Sequence, residues 1–111
     1  MTRITVLYKH GALIGFDAKG HTGYAEAGED IVCAAVSALT QTAYLGVAEM
    51  AKAEVTVKQK DGELRVMLSE SVSGEEREKA ELILGTMLLG LRSVEENYSD
   101  HLKLIKREVK A

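Results

Sequence analysis

Residues 20–39 read GHTGYAEAGEDIVCAAVSAL, a glycine-rich loop that runs directly into an apolar helix. Asp30 is the predicted N-cap of this helix, because its carboxylate can accept the backbone N–H three residues later, at Cys33. No proline follows before Lys52. We therefore predict one long helix over residues 30–52 and assign the other elements relative to it.

Helical spacing divides this helix into two sides. One is apolar and contains Ile31, Ala34, Ala35, Ala38, Leu39, Thr42 and Leu45. The other is more polar and contains Cys33, Ser37, Thr40, Gln41 and Tyr44. We expect the first side to face the core and Cys33 to face a polar cleft.

Alternating apolar residues predict two hairpins, one on each side of the helix. Residues 3–9 and 13–18 form the first around a turn at residues 10–11. Residues 53–60 and 63–68 form the second around Asp61-Gly62, a pair typical of two-residue turns.

A second helix is predicted over residues 74–96, starting at Ser73 in a capping-box-like sequence. Residues 101–109 are typical of a closing strand with a basic edge. The predicted fold is a single two-layer α+β domain over residues 1–111. Its element order is β-β-α-β-β-α-β, with a mostly antiparallel sheet packed by two helices.

Composition restricts the class of protein. An apolar content of 46% and a charged content of 28% indicate a soluble globular domain. A single cysteine excludes an intramolecular disulfide and fits a reducing cytoplasm. The strand that starts beside Met1 leaves no room for a signal peptide, and no apolar run is expected to span a membrane. The net charge of −3 argues against direct nucleic-acid binding and fits a basic protein partner.

Thiol chemistry has the best support among the possible reactions. The thiolate is the nucleophilic form of cysteine, and a helix N-terminus and a neighbouring imidazolium both favour it. Cys33 in the first helical turn and His21 in the preceding loop suit this chemistry. The competing interpretation is a free thiol under a loop, since two residues in a sequence do not prove proximity.

Other chemistries have weaker support. No CxxC, HxxxH or HExxH motif occurs, so neither a metal site nor another cofactor is predicted. Gly20 and Gly23 are typical of a glycine-rich loop, but no Lys-Ser or Lys-Thr follows them at the spacing of a phosphate-binding loop. A redox sensor would need a resolving cysteine, which the chain lacks.

Residues 20–37 closely resemble the signature of the ribosomal-processing cysteine protease Prp family, and the size and element order also agree. His21 and Cys33 match the family's catalytic pair, whereas Thr22 stands where a small alanine is expected. The resemblance implies a cysteine endopeptidase that removes the N-terminal extension of bacterial large-subunit ribosomal protein number twenty-seven. The alternative is a non-catalytic ribosome-assembly adaptor that binds an extended ribosomal tail.

The implied mechanism assigns roles to the residues of this segment. His21 accepts the proton of Cys33, and N–H groups in the first helical turn hold the oxyanion. Asp30 either caps the helix or orients His21, and its spacing favours capping. Ser37 either binds the substrate backbone or lines the cleft. Gly20 is a supporting residue at the start of the loop.

Two further expectations concern motion and assembly. The glycines of the loop over residues 19–29 permit a closed form that blocks Cys33 and an open form that admits a peptide. The middle of the second helix, residues 82–91, is apolar almost all round. It therefore packs within its own domain or in a homodimer interface.

Overall fold

The structure is a computed structural model that describes residues 1–20 and 27–110, with side chains for all of these except residues 27–30. Within them, a five-stranded sheet is packed by two helices. The elements in chain order are β1 (Thr2–Lys9), β2 (Ala12–Lys19), α1 (Ala27–Leu45), β3 (Val55–Lys60), β4 (Glu63–Leu68), α2 (Gly74–Asn97) and β5 (Leu102–Glu108). A π-helical turn, Gly46–Met50, continues α1. The predicted α+β fold and element order are confirmed.

The strands lie in the order β3-β4-β2-β1-β5. Every neighbouring pair is antiparallel except β1 and β5, which are parallel. Gly11 and Gly62 supply the positive φ angles of the two hairpin turns, 78° and 75°. The mostly antiparallel sheet is therefore as predicted, and β3 and β5 are its edges.

The core lies between one face of the sheet and the two helices. Ile4, Phe16 and Val66 are fully buried on neighbouring strands, and Leu84 and Leu91 cover them from α2. Each buried side chain of this size contributes about 2 kcal/mol to the free energy of folding. This apolar layer fixes the position of α1 over the sheet.

The side of α1 that faces the core is not the predicted one. Val32 and Val36 are buried, whereas Ile31 and Leu45 are each more than half exposed. Val32, Val36, Ala43 and Val47 form a second apolar stripe at helical spacing. Valines bury more apolar area than alanines do, so packing this stripe against the sheet is the more favourable arrangement.

The start of α1 also differs from the prediction. The helix begins at Ala27, so Asp30 is its fourth residue and not its N-cap. Ala27 and Glu29 have good helix propensity, and an acidic residue in the first turn interacts favourably with the helix dipole. Residues 21–26 lie outside the described residues, so the opening and closing of the loop stays a prediction.

The α1 segment is more apolar than expected. Ile31–Met50 has a mean hydropathy of 1.6 and is long enough to cross a membrane by length and composition alone. The expectation that no run reaches this length is therefore wrong, because the many alanines raise the mean. In the fold one side of the segment packs on the core, and 28% of the segment is buried. Its outer side remains partly exposed.

α2 begins at the predicted residue, but the predicted capping hydrogen bond does not form. Ser73 is the N-cap residue, in an extended conformation, but its side chain forms no capping hydrogen bond. Glu75 and Glu76 place negative charge in the first turn, where the helix dipole favours it. The helix then runs to Asn97, one residue beyond the predicted end.

Candidate active site

A cleft of about 250 Å³ opens between α1 and the hairpin of β3 and β4. We call it the Cys33 cleft. Its helical wall consists of Cys33, Ser37, Thr40 and Gln41 on successive turns of α1. The opposite wall runs from Gln59 to Leu64 around the hairpin turn. Cys33 therefore lines a polar cleft, although the core side of α1 differs from the predicted one.

Thr2 holds the sulfur from the sheet side. Its Oγ1 lies 3.4 Å from Sγ of Cys33, and either atom can be the donor. Thr2 is only 1% exposed, and its backbone N–H donates to the carbonyl of His101 at 2.9 Å. The hydroxyl is thus fixed by the pairing of β1 and β5 beneath Cys33.

Thr2 was not among the predicted site residues, because the predicted strand began at Arg3. Strand alternation was the available signal. Thr2 lies two residues before Ile4 and so points to the same, helix-covered face. A polar residue at such a position needs a partner on the helix.

Gly20 closes the end of the cleft nearest the loop. Its backbone N–H donates to the carbonyl of Gly62 at 2.7 Å, which ties the end of β2 to the hairpin turn. A side chain at Gly20 would meet nothing within 4 Å, so space does not require glycine there. His21 follows directly and lies outside the described residues, so its contact with Cys33 stays a prediction.

Ser37 and Thr40 contribute differently to the helical wall. Ser37 is exposed and lines the cleft one turn after Cys33. Thr40 is buried, and its hydroxyl donates to the carbonyl of Val36 at 2.8 Å. Its hydroxyl hydrogen is therefore directed into the helix. Gln41 and Gln59 add amide groups on opposite walls, which the sequence analysis did not assign to the site.

Because α1 begins earlier than predicted, the N–H groups expected to form the oxyanion site change. Cys33 is the seventh residue of α1, and in an α-helix the N–H of the seventh residue donates to the carbonyl four residues earlier. The backbone N–H of Cys33 is therefore not an unpaired first-turn donor. Asp30 is also not available as a cap, which leaves its orienting role toward His21 as the remaining prediction.

Two carboxyl groups lie close together near the sheet end of the cleft. Glu63 lines the cleft, and its carboxylate lies 3.8 Å from Nζ of Lys19. Burial of Asp17, together with its hydrogen bond to Glu63 and the negative charge of Glu63, raises the pKa of Asp17 above its ordinary value of 3.8. Lys19 and Arg65 oppose this shift. Oδ1 of Asp17 is buried and unpaired.

The described part of the chain contains no group of three His, Cys, Asp or Glu side chains placed to hold a metal ion. Both walls of the Cys33 cleft carry hydrogen-bond donors and acceptors, including the side chains of Ser37, Gln41 and Gln59.

The sequence and the fold both match known proteins. The family model for cysteine protease Prp matches residues 1–103. The Bacillus subtilis ribosomal processing cysteine protease Prp is 31% identical over 107 residues, 94% of this chain and 96% of that protein. The Staphylococcus aureus protein of the same name is 31% identical over 88 residues, 77% of this chain and 78% of that protein.

Solved structures agree with this match. A crystal structure of a Streptococcus mutans protein has a TM-score of 0.83 at 27% identity, over 98% of this chain and 96% of that one. The essential ribosomal processing protease Prp from Staphylococcus aureus, in complex with a substrate peptide, has a TM-score of 0.85. The Staphylococcus aureus structure is 24% identical to this chain, over 96% of this chain and 100% of that one, and it shows the shared fold. The chain belongs to the cysteine protease Prp family.

Proposed function

We propose that this protein cleaves the N-terminal extension of bacterial large-subunit ribosomal protein number twenty-seven, with Cys33 as the nucleophile and His21 as the general base. The observation that carries the proposal is the position of Cys33, half-buried on the wall of a polar cleft. Cys33 is also the only cysteine in the chain, and a cysteine protease requires one.

The position of Gly20 supports the pairing of Cys33 with His21. Gly20 lines the same cleft as Cys33 and is held to Gly62 by a backbone hydrogen bond. Gly20 directly precedes His21 in the sequence. The last described residue before His21 therefore lies at the cleft that contains the thiol.

The reaction has two stages. His21 takes the proton from Sγ of Cys33, and the thiolate attacks the scissile carbonyl carbon. The C–N bond then breaks, the imidazolium of His21 protonates the leaving amine, and a thioester remains on Cys33. In the second stage water gives a proton to His21 and attacks the thioester carbonyl carbon, and the C–S bond breaks. The imidazolium of His21 returns that proton to Sγ, and the product leaves as a carboxylate with its second proton released to solvent.

The cleft fits an extended peptide better than a folded domain. Its volume of about 250 Å³ accommodates a short stretch of main chain between α1 and the β3–β4 hairpin. Ser37 and Gln41 on one wall and Gln59 on the other can hydrogen-bond a peptide backbone. An N-terminal extension that is unfolded at its cleavage site can enter the cleft as an extended peptide. A free thiol nucleophile fits a location in the cytoplasm.

The helical layer supports a homodimer as the working form. A groove of about 670 Å³ runs between α1 and α2, lined mostly by apolar side chains, including those of Leu39, Met50 and Leu82. Met50 is 76% exposed and Leu82 is 73% exposed. Exposed apolar patches of this kind mark interaction sites. We therefore assign the self-contact to this groove in the helical layer.

Peptide cleavage tests the proposal directly. The purified protein is incubated with a peptide that spans the extension and the mature N-terminus, and mass spectrometry follows the products. We expect cleavage at one bond, with no cleavage by Cys33→Ala and a rate at least a hundredfold lower for His21→Asn. The matched control is His10→Asn, since His10 has a positive φ of 52° that asparagine tolerates.

Two results would contradict the proposal. Equal loss of activity in His10→Asn and His21→Asn would remove the specific role of His21. Binding of the peptide by all variants without cleavage by the wild type would favour the adaptor interpretation. Membership in a family of cysteine proteases argues for the catalytic result.

A further inference from the structure

The face of the sheet that the helices leave uncovered is strongly basic. Its orientation follows from β1, because Thr2 contacts Cys33 of α1 and Ile4 lies in the core. Side chains alternate between the two faces of a strand, so Arg3 points to the uncovered face. Arg3 pairs with Lys19 on β2 and with Lys103 on β5, which therefore point the same way.

The strands on the other side of the sheet alternate in the same way. Phe16 of the core pairs with Val66, so the neighbouring Arg65 points to the uncovered face. Arg65 pairs with Lys58 of the edge strand β3. On β5, Arg107 lies four residues after Lys103 and shares its face. We define the basic sheet face by these six side chains, Arg3, Lys19, Lys58, Arg65, Lys103 and Arg107.

The acidic groups on this face reduce its charge only partly. Asp17 and Glu63 share it, because they lie on the same strands and the same face as Lys19 and Arg65. Asp17 is only 7% exposed, so its carboxyl group presents little surface to a ligand. A partner would therefore meet mainly the ends of the lysine and arginine side chains, four of which are exposed on β1, β3 and β5.

The helical layer has the opposite charge. The sequence of α2 contains six glutamates against three lysines and arginines. The net charge of −3 thus averages over two faces of opposite sign. The expectation that this protein makes no direct contact with nucleic acid was based on the net charge. Because the positive charge is concentrated on one face, the net charge does not argue against such contact.

We propose that the basic sheet face binds the phosphate backbone of RNA without sequence preference. The six cations lie on five adjacent strands about 4.8 Å apart, a two-dimensional array that can follow a phosphate chain. Among the described residues that point to this face there is no Phe, Tyr or Trp, so base stacking is not available and phosphate contacts dominate. The choice of RNA over an acidic protein rests on the proposed function, whose substrate is assembled on RNA.

The experiment measures binding to a fluorescently labelled single-stranded RNA of about 20 nucleotides by anisotropy, at about 50 mM and about 200 mM salt. The test variant is Lys58→Glu with Lys103→Glu, at exposed positions outside the Cys33 cleft. The matched control is Lys79→Glu with Arg92→Glu, at exposed positions on α2. Both variants change the net charge by the same amount.

We expect the test variant to bind at least about tenfold more weakly than the wild type, and the control to change by less than about threefold. The slope of log affinity against log salt should become smaller by about 0.7 for each phosphate that the variant no longer neutralises. Equal weakening in the two variants would overturn the proposal, and so would no binding by the wild type at the lower salt. Preferential binding of polyglutamate or of anionic phospholipid vesicles would also overturn it.

Peptide cleavage separates this inference from the proposed function. All four substituted positions lie outside the Cys33 cleft, so both variants should cleave the extension peptide at the wild-type rate. A wild type that binds RNA through this face but does not cleave would contradict the proposed substrate and leave the RNA-binding face in place. A wild type that cleaves but does not bind RNA would contradict this inference alone.

Discussion

The hydroxyl of Thr2 lies 3.4 Å from the sulfur of Cys33, although 31 positions separate the two residues in the chain. This contact links the first strand to the wall of the cleft. The Thr2 side chain, which is almost fully buried, contacts the sulfur from the sheet side. Thr2 is thus a positioning residue for the proposed nucleophile.

Replacement of Thr2 by valine should slow peptide cleavage. Valine keeps the shape of the side chain and removes the hydroxyl, so we expect kcat to fall about tenfold, or about 1.4 kcal/mol, with KM nearly unchanged. Steady-state kinetics on the extension peptide measures this split. Thr2→Ser restores the hydroxyl and should recover most of kcat. A rise in KM at constant kcat would instead indicate a role in substrate binding.

Replacement of Asp17 by asparagine should stabilise the protein at neutral pH. Because the folded-state pKa of Asp17 is raised by burial and by Glu63, the protonated form contributes stability below pH 3.8 that is lost as the pH rises through the folded-state value. Asparagine stays neutral and can donate to Glu63. We expect Tm to rise by a few degrees at pH 7, with the gain shrinking as the pH falls toward 4.

Thermal unfolding between pH 4 and pH 7 checks this expectation, with Asp61→Asn as the control. Asp61 is exposed in the hairpin turn, where asparagine before Gly62 is equally suitable. The control removes the same charge and should change Tm little at any pH. If the wild type and Asp17→Asn have the same Tm at pH 7, the Asp17–Glu63 pair does not destabilise the folded protein.

Replacement of Gly15 by alanine should destabilise the fold. A Cβ at Gly15 would overlap the carbonyl oxygen of Val66 and approach the Cα of Met67 to 2.8 Å, so the backbone of β4 would have to move. We expect the free energy of unfolding to fall by about 2 kcal/mol or more. Urea denaturation followed by circular dichroism measures it.

Gly85 provides the matched comparison. It lies in the middle of α2, and a Cβ there would meet nothing within 4 Å. Gly85→Ala should therefore raise the free energy of unfolding by about 1 kcal/mol through helix propensity. A similar decrease in both variants would mean that the close approach at Gly15 does not limit stability.

Charged substitutions in the groove between α1 and α2 should weaken self-association. Leu82 and Met50 line the groove and are 73% and 76% exposed, so lysine at both positions should leave the fold intact. We expect sedimentation equilibrium to show a dimer for the wild type and a monomer for the double variant at the same concentration. Lysine at Ser93 and Ser99, exposed positions outside the groove, adds the same charge and should leave the dimer unchanged.

The local elements of this protein could be predicted from its sequence because their causes are local. Strand alternation and the Asp61-Gly62 turn specify the second hairpin within a few residues. The acidic first turn after Ser73 marks the start of α2, although the Ser73 side chain forms no capping hydrogen bond. The location of Cys33 on a polar cleft followed from helical spacing in the same way.

Contacts between distant elements could not be predicted, because several arrangements satisfy the same local pattern. Both sides of α1 carry apolar residues at helical spacing, and only packing against the sheet selects Val32 and Val36 over Ile31 for the core. Likewise, the register of five strands decides that the cations gather on one face. The sequence by itself determined the elements and the nucleophile candidate. The tertiary structure decided what Cys33 touches and where the charge lies, because both depend on long-range packing.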